Sequence, residues 1–183
     1  MNAPGSIPLN ARKDKKFFLI GFMGSGKTHW GKIWAAANQL SFVDLDGVIE
    51  KETGSTIAEI FETKGEDHFR KLEAAALRNC SGLQNTIIAC GGGTPCFFDN
   101  MPWMNEHGTT IYIICSPIEI LERVLLEKET RPLLKKLNRA ELLFFIEQKL
   151  REREPFYGQA TLAVKSAELD QNAFPSIISN ITS

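Results

Sequence analysis

The chain has 183 residues, 43% of them apolar and 23% charged, with a formal net charge of −1. These are the proportions of one soluble globular domain with a sizeable core, and they exclude the broad basic field that nucleic acid or an anionic membrane surface requires. No apolar run approaches the roughly 18 residues of a membrane span. Cys80, Cys90, Cys96 and Cys115 form no Cys-x-x-Cys pair and have no histidine at zinc spacing, which argues for reduced thiols in the cytoplasm and against a metal or disulfide framework.

Residues 1–15 hold Pro4, Gly5 and Pro8, then Arg12, Lys13 and Lys15, without the apolar segment of a signal peptide, and are expected to form a disordered tail. The first strand is expected over Lys16 to Ile20. It runs into Gly21-Phe22-Met23-Gly24-Ser25-Gly26-Lys27-Thr28, and a helix is predicted from about Lys27 to Gln39 on the apolar residues Trp30, Ile33, Trp34 and Ala37. A strand, a glycine-rich loop and a helix start in this order make a P-loop. Its backbone N–H groups and the positive end of the helix dipole suit a polyphosphate. Gly24, Ser25 and Gly26 belong to that cradle, Lys27 supplies a point charge to the outer phosphates, and the Thr28 hydroxyl is placed to ligate magnesium.

A second strand is predicted from Leu40 to Asp46. In an extended segment Asp44 and Asp46 point to one side, so that one carboxylate could support a magnesium shell while the other orients or deprotonates an acceptor hydroxyl. Gly54 to Leu77 carries Ile57, Ile60, Phe61, Phe69, Leu72 and Ala76, a pattern that predicts two short amphipathic helices with Phe61 and Phe69 in the core. Arg70 lies off that stripe and reads as a surface charge paired with Glu66 or Glu73.

The third strand, Thr86 to Cys90, leads into Gly91-Gly92-Gly93, where missing side chains let a substrate approach the backbone. The fourth is predicted over Thr109 to Cys115. Ser116-Pro117-Ile118-Glu119 then has a capping serine, a proline at the first helical position and a glutamate three residues after the cap, so a helix starts there. The charged, proline-broken stretch from Glu127 to Lys136 suits a lid that carries Arg131 to the transferring phosphoryl group. A helix is predicted from Glu141 to Glu154, ending before Pro155. Arg151 and Arg153 near its end are accounted for by the helix dipole alone. A fifth strand, Ala160 to Val164, and an amphipathic segment with Ile177, Ile178 and Ile181 close the chain.

Apolar strands alternating with helices predict an α/β architecture with a parallel sheet covered on both faces, and in such sheets ligands gather at the carboxyl ends of the strands. The motifs together resemble the shikimate kinase family, within the nucleoside-monophosphate-kinase-like P-loop proteins. The resemblance rests on the P-loop, Asp44-Leu45-Asp46, Ile60-Phe61 with Phe69-Arg70-Lys71-Leu72-Glu73, Gly91-Gly92-Gly93, Arg131-Pro132-Leu133-Leu134 and Arg153-Glu154-Pro155-Phe156-Tyr157. It implies a three-layer P-loop fold over residues 16–183, with a five-stranded parallel sheet, a substrate-binding helical insert at about 47–80 and a lid at about 126–138.

The activity implied is transfer of the ATP γ-phosphate to the 3-hydroxyl of shikimate, with magnesium as cofactor, in a cytoplasmic monomer that engages neither nucleic acid nor membrane. By the same likeness Asp46 would bind the acceptor hydroxyls, Asp44 would support the magnesium ion, Arg70 and Arg153 would bind the shikimate carboxylate, and Gly92 would make close backbone contact. Phe61 and Phe69 would wall the pocket, and Arg131 would stabilise the phosphoryl group. Cys90 stands before the triple glycine where some relatives carry a hydroxyl side chain, and the lid before Arg131 is short. A related kinase acting on gluconate and a nucleotide-binding regulatory module without turnover are the alternative readings.

Overall fold

In the computed structural model the described residues are 16–126 and 137–179. Five parallel strands, β1 (Lys16–Ile20), β2 (Ser41–Asp44), β3 (Thr86–Ala89), β4 (Thr109–Ile114) and β5 (Leu162–Lys165), form one sheet in the order β2-β3-β1-β4-β5. β1 is paired on both edges, with Phe18 in register with Ile88 of β3 and with Thr110 of β4. Its side chains alternate between two cores, Phe17 and Leu19 entering one, Phe18 and Ile20 the other. A strand buried on both faces has no polar side to show, which is why the sequence of β1 is apolar throughout.

On one face α1 (Lys27–Ala37), α5 (Pro117–Leu126), α6 (Arg139–Tyr157) and α7 (Ala173–Ser179) pack through Trp34, Ile120, Leu142, Ile146 and Phe174. On the other face α2 (Leu45–Thr53), α3 (Ile57–Asn79) and α4 (Asn100–His107) pack through Ile49, Phe69, Leu77 and Met104. The three-layer α/β fold with a five-stranded parallel sheet is therefore as the sequence implies. After β3 the chain crosses to the far side of β1, so β1 and β3 flank a switch point whose carboxyl end is the expected ligand crevice.

Several boundaries differ from the sequence reading. α1 ends at Ala37, because Asn38 leaves helical geometry and Gln39 has a positive φ of 57°. β2 stops at Asp44, and Leu45–Thr53 is a helix, so Asp44 and Asp46 do not share an extended segment. Asp44 keeps extended φ/ψ at the N-cap and Asp46 lies in the first turn, where the helix dipole favours carboxylates. The insert's later part, α3, is two helices that meet at a kink at Gly65, with φ 79° and ψ 172°, so the two expected helices are both present. α6 continues through Pro155 to Tyr157, since a proline this close to the end forfeits few backbone bonds and Gly158 N–H still reaches Glu154 O at 2.8 Å. β5 starts at Leu162 instead of Ala160. The tail at 1–15, Arg131 with most of the expected lid, and Ile181 lie outside the described residues.

Candidate active site

The loop after β1 and the start of α1 build one end of the site. Gly26 caps α1 with φ 93°, a left-handed conformation that glycine adopts without steric cost. Ser25 is fully buried, and the Lys27 ammonium turns back on the loop, donating to Gly21 O and Phe22 O at 2.8 Å each and reaching Ser25 Oγ at 3.4 Å. Burial lowers the Lys27 pKa to about 8, with the Asp46 charge pulling the other way. Thr28 donates its hydroxyl to Asp44 Oδ2 at 2.8 Å.

Asp46 stands between this cradle and the opposite end of the cleft. Burial, followed by the charges of Glu73 and Asp44, raises its pKa to about 6, while Lys27 opposes that rise. Its Oδ1 atom is buried and accepts no hydrogen bond from any described residue. A buried carboxylate oxygen without a partner is costly unless a ligand donor meets it. Thr28, Asp44 and Asp46 offer only oxygen, the donor chemistry that magnesium prefers. Among the described residues no cluster of three or more histidine, cysteine, aspartate or glutamate side chains could hold a metal by itself. The short oxygen set of Thr28, Asp44 and Asp46 suits an ion held by one or two protein groups together with phosphates.

The other end is assembled from distant segments. Arg70 is not the surface charge its helical position implies: only 7% of it is exposed, and it donates to Glu73 Oε2 at 2.8 Å and to Glu66 Oε1 at 2.9 and 3.1 Å. Its guanidinium lies over Phe97 at 4.6 Å, Phe69 at 5.0 Å and Phe61 at 5.9 Å, so aromatic faces hold its plane while carboxylates hold its edges. Glu73 is fully buried and also accepts from Thr94 Oγ1 at 2.5 Å. The triple glycine allows this packing. A Cβ on Gly93 would sit 2.5 Å from Arg70 Nη2, and one on Gly91 would sit 2.6 Å from Glu73 Oε1. Arg153 arrives from α6 and lies over the Phe22 ring at 5.1 Å.

One open cleft of about 1180 Å³ joins the two ends, and its wall includes Gly24, Gly26, Lys27 and Thr28, then Asp44 and Asp46, then Phe61, Phe69, Arg70, Gly92 and Arg153. Eleven of the sequence-predicted site residues thus line one cleft, and Ser25 is buried beneath the loop. Two contributors escaped the sequence reading. Arg123 on α5 donates to Gly24 O at 3.0 Å and faces the cleft beside Gly26, which no local spacing could signal. Phe97 follows the triple glycine but reads as loop.

Strand order, P-loop and the carboxylate beside it define a small P-loop phosphotransferase with arginines at the far end of its cleft. The family model for shikimate kinase matches residues 23–182. A shikimate kinase of Phocaeicola vulgatus is 41% identical over 155 residues, covering 85% of this chain and 89% of that protein. The 1.7 Å crystal structure of shikimate kinase from Bacteroides thetaiotaomicron superposes with a TM-score of 0.83 at 37% identity, over 93% of this chain and 96% of that one. Shikimate kinase from Acinetobacter baumannii in complex with shikimate superposes with a TM-score of 0.79 at 31% identity, over 91% and 94% of the two chains. The chain belongs to the shikimate kinase family.

Proposed function

We infer that this chain catalyses ATP-dependent phosphorylation of the 3-hydroxyl of shikimate, giving shikimate 3-phosphate and ADP, the activity of the family to which it belongs. The observation that carries the reading is the single cleft with a phosphate cradle at one end, two arginines at the other and Asp46 between them. The P-loop N–H groups, Lys27 and Thr28 hold the nucleotide phosphates. Arg70 and Arg153 offer planar guanidinium donors to the shikimate carboxylate, which directs the ring's hydroxyls toward Asp46. Phe61 and Phe69 wall the ring, and Gly92 lets it approach the backbone.

Asp46 Oδ1 accepts the hydrogen bond of the attacking hydroxyl and takes its proton as the bond to phosphorus forms. Lys27 and Arg131 meet the charge on the transferring group. Thr28 and Asp44 are the residues that would hold magnesium, which when bound neutralises phosphate charge and fixes the phosphates for in-line transfer. Substrate and nucleotide are the expected partners of a cytoplasmic monomer. The described residues include no helix long and apolar enough to cross a membrane.

ADP release from magnesium ATP, measured with shikimate, with gluconate and without acceptor, tests the reading. Release that depends on shikimate alone is the expected result. Nucleotide binding without acceptor-dependent release from either acid would overturn it in favour of a regulatory module, and gluconate-dependent release would assign the related kinase.

A further inference from the structure

The last turn of α6 holds a hydroxyl to which neither the P-loop chemistry nor the arginine assignments give a task. Tyr157 is completely buried and donates to Gly92 O at 2.6 Å. Arg153 is four residues earlier in the same helix, so the two side chains rise on one face. A Cβ on Gly92 would lie 3.1 Å from Arg153 Nη1, so the guanidinium occupies the space that the missing side chain leaves. Burial pushes the phenol up to about 12, and the nearby charge of Arg153 works against that rise. The ring is fixed as well: Tyr112 packs on it with centroids 4.9 Å apart, and the Tyr112 hydroxyl donates to Glu154 Oε2 at 3.2 Å.

We propose that Tyr157 is a positioning residue for the acceptor: its hydroxyl, hydrogen-bonded to the Gly92 carbonyl one helical turn from Arg153, fixes the backbone beside which the guanidinium lies and so sets how Arg153 meets the substrate carboxylate. The inference rests on the assignment of Arg153 to that carboxylate. A phenol donates to that carbonyl, which phenylalanine cannot do. An arginine laid beside a fixed backbone loses less side-chain freedom when it grips a carboxylate, so the effect falls on substrate affinity. Helix continuity through Pro155 is part of the arrangement, because a helix ended at Glu154 would not set position 157 one turn above position 153.

The test compares steady-state kinetics and thermal melting of the wild type, Tyr157→Phe, Tyr112→Phe and Arg153→Ala. Tyr157→Phe is expected to raise the shikimate KM about tenfold, with the ATP KM unchanged and kcat within twofold. Tyr112→Phe should leave both KM values where they are. With a shikimate analogue whose carboxylate is replaced by a carboxamide, the penalty of Tyr157→Phe should shrink to less than twofold. A lowered melting temperature with an unchanged shikimate KM would make the hydroxyl a folding element only and overturn the proposal. If Arg153→Ala raises the KM and Tyr157→Phe does not, the proposal fails while the carboxylate assignment stands; if Arg153→Ala changes nothing, that assignment fails first. Should Tyr157→Phe not fold, 3-fluorotyrosine in the native sequence gives two fluorine resonances, from Tyr112 and Tyr157. Shikimate should then shift the Tyr157 resonance in the absence of nucleotide, and an unshifted resonance at saturating shikimate would count against the proposal.

Discussion

The two ends of the cleft are built in opposite ways. The phosphate end comes from eight consecutive residues, and its cation, Lys27, is held by carbonyls of its own loop. The acceptor end joins α3, the turn after β3 and the end of α6, and its cation, Arg70, is held by two carboxylates and three aromatic rings. A site made from one loop can be read from its spacing and should fail locally when it is cut. A site made from three segments depends on packing, and damage there should reach stability as well as substrate affinity.

The largest effects are expected where the ends meet. Asp46→Asn keeps shape and hydrogen-bonding capacity but cannot take the proton, and kcat should fall by about 10²–10⁴-fold with the melting temperature unchanged or raised. Any rise in melting comes from removing a carboxylate whose burial is unfavourable. Next comes Arg70→Ala, which leaves Glu73 buried without its cation; the cost is about 3–5 kcal/mol in stability, read by denaturant unfolding, together with a large rise in the shikimate KM. Equal losses of ATP and shikimate affinity in that variant would erase the contrast between the ends.

The pH profile comes third. As the proposed base Asp46 would have to be ionised, and its raised pKa of about 6 would then give kcat/KM for shikimate an acid limb near that value. Lys27 must be charged, and its lowered pKa of about 8 gives kcat/KM for ATP an alkaline limb there. Bound phosphates keep the ammonium protonated, so that alkaline limb should be absent from kcat. The smallest effect is expected from Thr56→Ala, which removes the capping box of α3, where Thr56 accepts from Glu59 N–H and Glu59 accepts from Thr56 N–H. About 1 kcal/mol of stability should be lost, with both KM values unchanged.

Legibility in the sequence follows the same division. The P-loop, the reciprocal cap of Ser116 and Glu119 and the unbroken apolar run of β1 are contiguous patterns, and each stands in the structure as the sequence implies. α2 was hidden because Leu45, Val48 and Ile49 continue the apolar run of β2, and only the cap geometry of Asp44 marks the change. α4 has little amphipathic period, and it begins after Phe98 and Asp99, both with positive φ, a conformation that residue type alone does not announce. The burial of Arg70 was invisible because the pocket that receives it is made by Gly93, twenty-three positions later in the chain. Arg123 meets the P-loop across a contact ninety-nine residues long, beyond any local rule.

The most direct test of the two-ended cleft is calorimetric titration of shikimate, without nucleotide, into the wild type, Lys27→Met and Arg153→Ala. Unchanged shikimate affinity in Lys27→Met, beside a loss of tenfold or more in Arg153→Ala, is the result expected if the acceptor end is built independently of the phosphate cradle. Equal weakening in both variants, or full affinity in Arg153→Ala, would contradict it.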